Sequence, residues 1–207
     1  MELLEKIRNV YTPGLETLVK GAYDAPYRKY HNWDHIEEIW NLFERDYANE
    51  FLHQDRQSFF YATVFHDIVY EVGNPQNELL SAQEMLKFFK LSNPYSNSQI
   101  CEIFHVIVGS RNHWDAVNDT LPEWGKLFLD LDIYHLGSSK EKYQDNGRKL
   151  FDEFSSKFSE TEIFSGREKW LKGVLANKKL YRLMDEDREK QARQNMENDL
   201  DLIGNRS

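Results

Sequence analysis

The sequence predicts an all-α protein built as one domain. Apolar residues recur at three- and four-residue intervals along almost its whole length, no segment alternates with period two, and only 10 glycines and 5 prolines punctuate 207 residues. With 40% hydrophobic content the chain can close one core, so residues 1–207 are read as a single helical bundle. Thr12-Pro13 reads as an N-cap and first helical position, after which Leu15, Leu18 and Val19 share a face until Pro26 stops the helix. Asp34 can cap the next helix, carried by Ile36, Ile39, Trp40, Phe43 and Tyr47. A third, from about Gln54 to Tyr70, is apolar through Phe59, Phe60, Val64, Phe65 and Ile68 and should be central, ending at Gly73-Asn74-Pro75.

Leu79, Leu80, Ala82, Met85, Leu86 and Phe89 give a fourth helix, and Ile100, Ile103, Phe104, Ile107 and Val108 a fifth. Asn112 to Pro122 is polar and irregular. Trp124, Leu127, Phe128, Leu131 and Leu136 then form a helix that Gly137 terminates, with Ser138 and Glu141 resembling a capping box for its successor. Further helices follow to Ile203, and the run Asp185–Lys190 reads as a solvated helix face.

Composition narrows the function. A formal charge of −9 repels polyanions, which argues against long nucleic acids as partners. One cysteine, Cys101, excludes an intrachain disulfide framework and a thiolate zinc cage, leaving histidines and carboxylates as metal ligands. No stretch approaches the roughly 18 to 20 apolar residues of a membrane span, and Glu2 and Glu5 stand where a secretory signal would be basic. The expected location is cytoplasmic, with no membrane partner. Glycine-rich phosphate loops are absent.

Three clusters could carry chemistry. Arg28-Lys29-Tyr30-His31-Asn32-Trp33-Asp34-His35 leads into the second helix and holds histidines at i and i+4. His66-Asp67 lies in the most apolar segment, where an ionised carboxylate is costly unless paired or bound to a metal. Asp130 and Asp132 lie within an apolar helix, on roughly opposite sides, so at most one faces a shared site. Two histidines and two aspartates would supply four nitrogen and oxygen ligands to a divalent ion if crossing helices bring them together.

His35, the dyad His66-Asp67 and Asp132 resemble the H…HD…D signature of the HD superfamily of metal-dependent phosphohydrolases, and the chain is most similar to its small stand-alone members. The flanking matches are Tyr30-His31-Asn32 with Ile36, Val69-Tyr70, Asn77-Glu78 with Ser81, Arg111 with His113, Leu136-Gly137 and Glu189 to Asn195. The resemblance implies that His35, His66, Asp67 and Asp132 ligate one divalent metal, with His31 and Asp130 the alternatives to His35 and Asp132. Members with two metals use further histidines, for which His113 and His105 are available, His105 reading more readily as core. Mixed histidine and carboxylate ligation suits Mn, Fe, Co, Ni, Zn or Mg.

The implied activity is hydrolysis of a phosphoester of a small phosphorylated molecule, a nucleotide being one candidate. Asp67 would orient the attacking water, and Arg28 and Arg111 would meet the charge on the phosphoryl oxygens. Glu71, Asn77 and Glu78 would support the site or touch substrate. The competing reading is a metal- or nucleotide-sensing module that keeps the ligands without turnover.

Overall fold

Every regular element is helical across residues 2–9, 14–91 and 95–205, the residues that the computed structural model describes. The order is α1 (Leu3–Asn9), α2 (Leu15–Tyr23), α3 (Trp33–Asp46), α4 (His53–Phe65), α5 (Asn77–Leu91), α6 (Asn97–Gly109), α7 (Glu123–Asp132), α8 (Lys140–Phe154), α9 (Glu160–Leu175) and α10 (Glu186–Gly204). The all-α expectation is met. Helix α1, which periodicity does not announce, is seven residues long and buries Leu3 and Ile7. The cap expected at Thr12-Pro13 lies outside the described residues. No described helix is long and apolar enough to cross a membrane.

Helix α4 is central, as its composition predicts. Every residue from Ser58 to Phe65 is buried, and α3, α5, α6 and α7 all pack on it. Phe43 stacks on Phe59 at 3.8 Å between centroids, and Phe59 meets Phe128 edge-on at 5.7 Å. Phe128 in turn sits 5.3 Å from the His66 ring, so the core ends directly against the histidine cluster.

Two helices stop earlier than periodicity suggests, and both stops place site residues. Helix α4 ends at Phe65 rather than near Tyr70, because the backbone of the following turn is satisfied elsewhere. The Tyr23 hydroxyl donates to the Val64 carbonyl and receives the Asp67 amide, while the Ser81 hydroxyl bonds both polar groups of the Val69 backbone. His66, the C-cap whose amide still bonds the Ala62 carbonyl, and Asp67 therefore open a tight turn. Helix α7 ends at Asp132 and a 3-10 turn, Tyr134–Gly137, takes over.

Gly137 acts here by size. A Cβ would fall 2.5 Å from Arg188 Cγ and 2.8 Å from the Arg188 carbonyl oxygen, so only glycine lets α10 approach the turn. Gly73, at φ 72°, makes the left-handed turn after the dyad.

The caps also differ in detail from expectation. Asn32, not Asp34, caps α3 by accepting the Asp34 amide, and Ser139, not Ser138, caps α8. Ser138 instead donates to the His135 carbonyl. The charged run Asp185–Lys190, which opens α10, is not merely a solvated face. Asp185 caps the helix, Arg188 donates to the carbonyls of Tyr134 and Gly137, and Glu189 accepts the amides of Leu180 and Tyr181.

Candidate metal centre

His35 enters from the first turn of α3, His66 from the turn after α4, and Asp132 from the last residue of α7. Their donor atoms lie within 4.8 Å of one another, a grouping that could hold one metal ion. His35 Nε2 is 3.0 Å and His66 Nε2 3.5 Å from Asp132 Oδ1. His113, just beyond a short 3-10 turn after α6, reaches Asp132 Oδ2 at 2.9 Å. One carboxylate thus gathers three imidazoles, two on one oxygen and one on the other. Asp67 stands beside the cluster, its Oδ2 3.1 Å from His66 Nε2.

The chemistry of the donors fits a divalent cation. His66 Nδ1 lies 3.0 Å from the Thr63 carbonyl oxygen, which keeps a proton on that nitrogen and turns Nε2 inward. That Nε2 is buried and has no hydrogen-bond partner. It faces the Asp67 and Asp132 carboxylates at 3.1 and 3.5 Å without an aligned hydrogen bond to either, and a cation among the three would satisfy all of them. Burial disfavours the His66 imidazolium, but the Asp67 and Asp132 carboxylates outweigh it and raise its pKa to about 9. Burial likewise works to raise Asp67 and Asp132, and the adjacent imidazoles overcome it, holding both carboxyls well below the usual range.

The structure brings some of the other expected residues to this centre and sends others elsewhere. His31 does not join the ligand group. It stacks on Tyr70 at 4.3 Å, and its Nδ1 pairs with Glu153 Oε1 at 2.5 Å. Asp130 faces away, its two oxygens accepting the amides of Arg182 at 2.8 Å and Leu183 at 2.6 Å. Glu78 lines the same cavity as His35, Asp67, His113 and Asp132, with Oε2 buried and unpartnered, and burial raises its carboxyl pKa.

Arg28 does not present a cation to the cavity. It is buried, and its guanidinium donates to the carbonyls of Asp67 at 2.6 Å and Ile68 at 3.2 Å, clamping the turn that carries the dyad. Arg111 is exposed and is not among the cavity-lining residues. Asn77 ties the backbone of Glu71 through both its amide atoms, and the Glu71 carboxylate is exposed, bonded to Lys157 and Asn74. His105 is exposed on α6 rather than part of the core.

Sequence reasoning missed three supports of the site. Glu153, fully buried on α8, accepts the amides of Tyr30 and His31, the His31 ring and the Tyr70 hydroxyl. Nothing in its spacing signals this, because its donors arrive from loops more than 80 residues away. Arg182, held by Asp130 through its backbone, donates to the His113 carbonyl at 2.6 Å. The Tyr30 hydroxyl and His135 Nδ1 are hydrogen-bonded at 2.7 Å, and burial, aided by the neighbouring His35, lowers the His135 pKa to about 3, so it stays neutral.

No known family model matches the chain, and no curated protein matches it.

Proposed function

We propose that the protein is a metal-dependent phosphohydrolase acting on a small phosphoester, with His35, His66, Asp67 and Asp132 as its metal ligands. One observation carries this reading. Three residues of the H…HD…D pattern, His35, His66 and Asp132, nearly 100 positions apart in sequence, bring donor atoms within 4.8 Å of one another, and the fourth, Asp67, stands 3.1 Å from His66 Nε2 without joining that group. When bound, a divalent ion there would polarise a phosphoryl oxygen and acidify a coordinated water.

The chain's own groups supply the rest. The Thr63 carbonyl holds the His66 tautomer, and the Arg28 clamp fixes the turn on which Asp67 sits. Asp67, ionised at neutral pH, would orient the attacking water. Glu78, whose Oε2 is buried and unpaired in the same cavity and whose carboxyl pKa is pushed up by burial, would be the group that protonates the departing alkoxide.

A metal-binding sensor without turnover is the second reading, and the placement of arginine favours it. Arg28 is committed to carbonyls and Arg111 lies off the cavity lining, so neither meets phosphoryl charge from its present position.

Elemental analysis of the purified protein, followed by phosphate release from a panel of phosphomonoesters with Mn, Co, Ni or Mg, separates the readings. The hydrolase predicts bound metal and release that Asp67→Ala abolishes. Tight metal with no release from any ester supports the sensor, and absence of metal affinity in the wild type overturns both.

A further inference from the structure

The metal cluster occupies one end of a cavity of about 1290 Å³, larger than the roughly 300–1,000 Å³ of most small-molecule sites. The remainder runs among α8, α9 and the end of α10. Helix α8 packs chiefly on the turn Tyr134–Gly137 and α9 on α10, and the two consecutive helices touch through side chains, Arg167 donating to the Tyr143 hydroxyl and Phe151 meeting Phe164. Leu150, Phe151 and Phe154 recur at helical spacing on α8, and Ile163, Phe164 and Trp170 do so on α9. Such stripes ordinarily face a core. Here both face the cavity, and Leu150, Phe151, Phe154, Ile163 and Phe164 are only half-buried.

Phe151 and Phe164 meet with ring centroids 5.5 Å apart and tilted by 35°. Trp170 and Leu202, 40% and 54% exposed, add apolar surface at the same cavity. Apolar side chains that line a hollow instead of filling it mark a binding surface.

Charge narrows the ligand further. The lining holds seven carboxylates against three lysines and arginines, an excess that one divalent ion does not cancel. Two of those cations are already paired, Arg148 with Asp145 and Arg167 with Asp199. A triphosphate chain requires several cations along its length, which this lining does not supply. A single phosphate at the metal end does not meet that obstacle.

Resting on the phosphohydrolase reading, we propose that the substrate class is a phosphomonoester of an aromatic, ring-bearing alcohol, its phosphate at the histidine cluster and its apolar body among α8, α9 and the end of α10.

The test uses the metal-loaded full chain with 2-naphthylmethyl phosphate, glycerol 1-phosphate and ATP. The first two are esters of primary alcohols, so their intrinsic reactivities are similar. The expected kcat/KM for the naphthylmethyl ester exceeds that for the glycerol ester at least about tenfold, carried mainly by KM, with ATP the poorest. Phe151→Ala and Phe164→Ala, on different helices, should each narrow the ratio several-fold with unchanged circular dichroism.

Binding of the phosphate-free alcohol, 2-naphthylmethanol, followed by its fluorescence, gives a readout independent of turnover. Binding that either variant weakens, without release from any ester, upholds the apolar cavity and defeats the hydrolase. Equal hydrolysis of both monoesters with no alcohol binding, or preference for ATP, overturns the substrate class while leaving hydrolysis standing.

Discussion

Asp130 is buried and Asp132 half-buried; they stand two residues apart on α7 and meet opposite surroundings. Asp130 points at the segment before α10, where two backbone amides occupy its oxygens. Asp132 points the other way, where three imidazole nitrogens from α3, the dyad turn and the segment after α6 converge on it. A carboxylate met by amides is closed, because an amide has one role to play. A carboxylate met by imidazoles is open, because each ring can give up a proton and offer a lone pair to a cation. The difference separates a structural buried acid from a chemical one more sharply than burial does.

The largest expected effects come from exchanging the two. Asp132→Ala should lower metal affinity more than about 100-fold, beyond the range seen when residues that merely support a ligand are lost. Asp130→Ala should leave two amides without acceptors and cost about 2–4 kcal/mol of stability. Metal titration and urea denaturation of both variants read the two effects separately. If Asp130→Ala lost metal as completely as Asp132→Ala while keeping its stability, the contrast would collapse.

Much of this arrangement is legible before folding. Helical period one hundred degrees per residue already forbids Asp130 and Asp132 from sharing a face, and the apolar run Phe59 to Phe65 places α4 at the centre. What periodicity does not reveal is where backbone groups find partners outside their own helix. Arg28 is expected as a cation for the phosphoryl oxygens because it precedes the first histidine cluster, yet it closes the turn after α4. Ile68 continues the apolar pattern of α4 although the helix has already ended. Glu153 reads as one more acid on α8, and only the tertiary fold brings Tyr30, His31 and Tyr70 to it.

Glu153 offers a second way to sharpen the comparison, since it is a buried acid that mixes amide and imidazole partners. Burial raises its carboxyl, but the His31 ring, Tyr70 and the Tyr30 amide prevail and lower its pKa to about 2. Burial disfavours the His31 cation, and the bond to Glu153 more than restores it, so the His31 pKa is raised above 6.5. The depressed acid contributes stability above its unfolded pKa of about 4.3 and loses it as pH falls toward 2. The elevated histidine contributes below its unfolded pKa of about 6.5 and loses it as pH rises through the folded value. Glu153→Gln, studied without metal, should therefore cost about 2 kcal/mol between roughly pH 4.5 and 6.5 and less on either side. A deficit that is flat from pH 3 to 9 would make Glu153 a plain hydrogen-bond acceptor like Asp130.

The smallest effect tests the open carboxylate most directly, through the proton that a cation must displace. Because Asp67 and Asp132 raise His66 to about 9, its imidazole is protonated in the metal-free site across neutral pH. A metal ligand must be neutral imidazole, so binding at pH 6 to 8 releases that proton. Each unit of pH up to about 9 should then tighten metal affinity about tenfold, which is about 1.4 kcal/mol per proton. Calorimetry in buffers of different ionisation enthalpy counts the protons released. The same slope should survive in Asp130→Asn, whose amide partners titrate nowhere near this range. Affinity independent of pH would mean that His66 does not give up its proton to the metal, and the imidazole-met carboxylate would then be as closed as its neighbour two residues away.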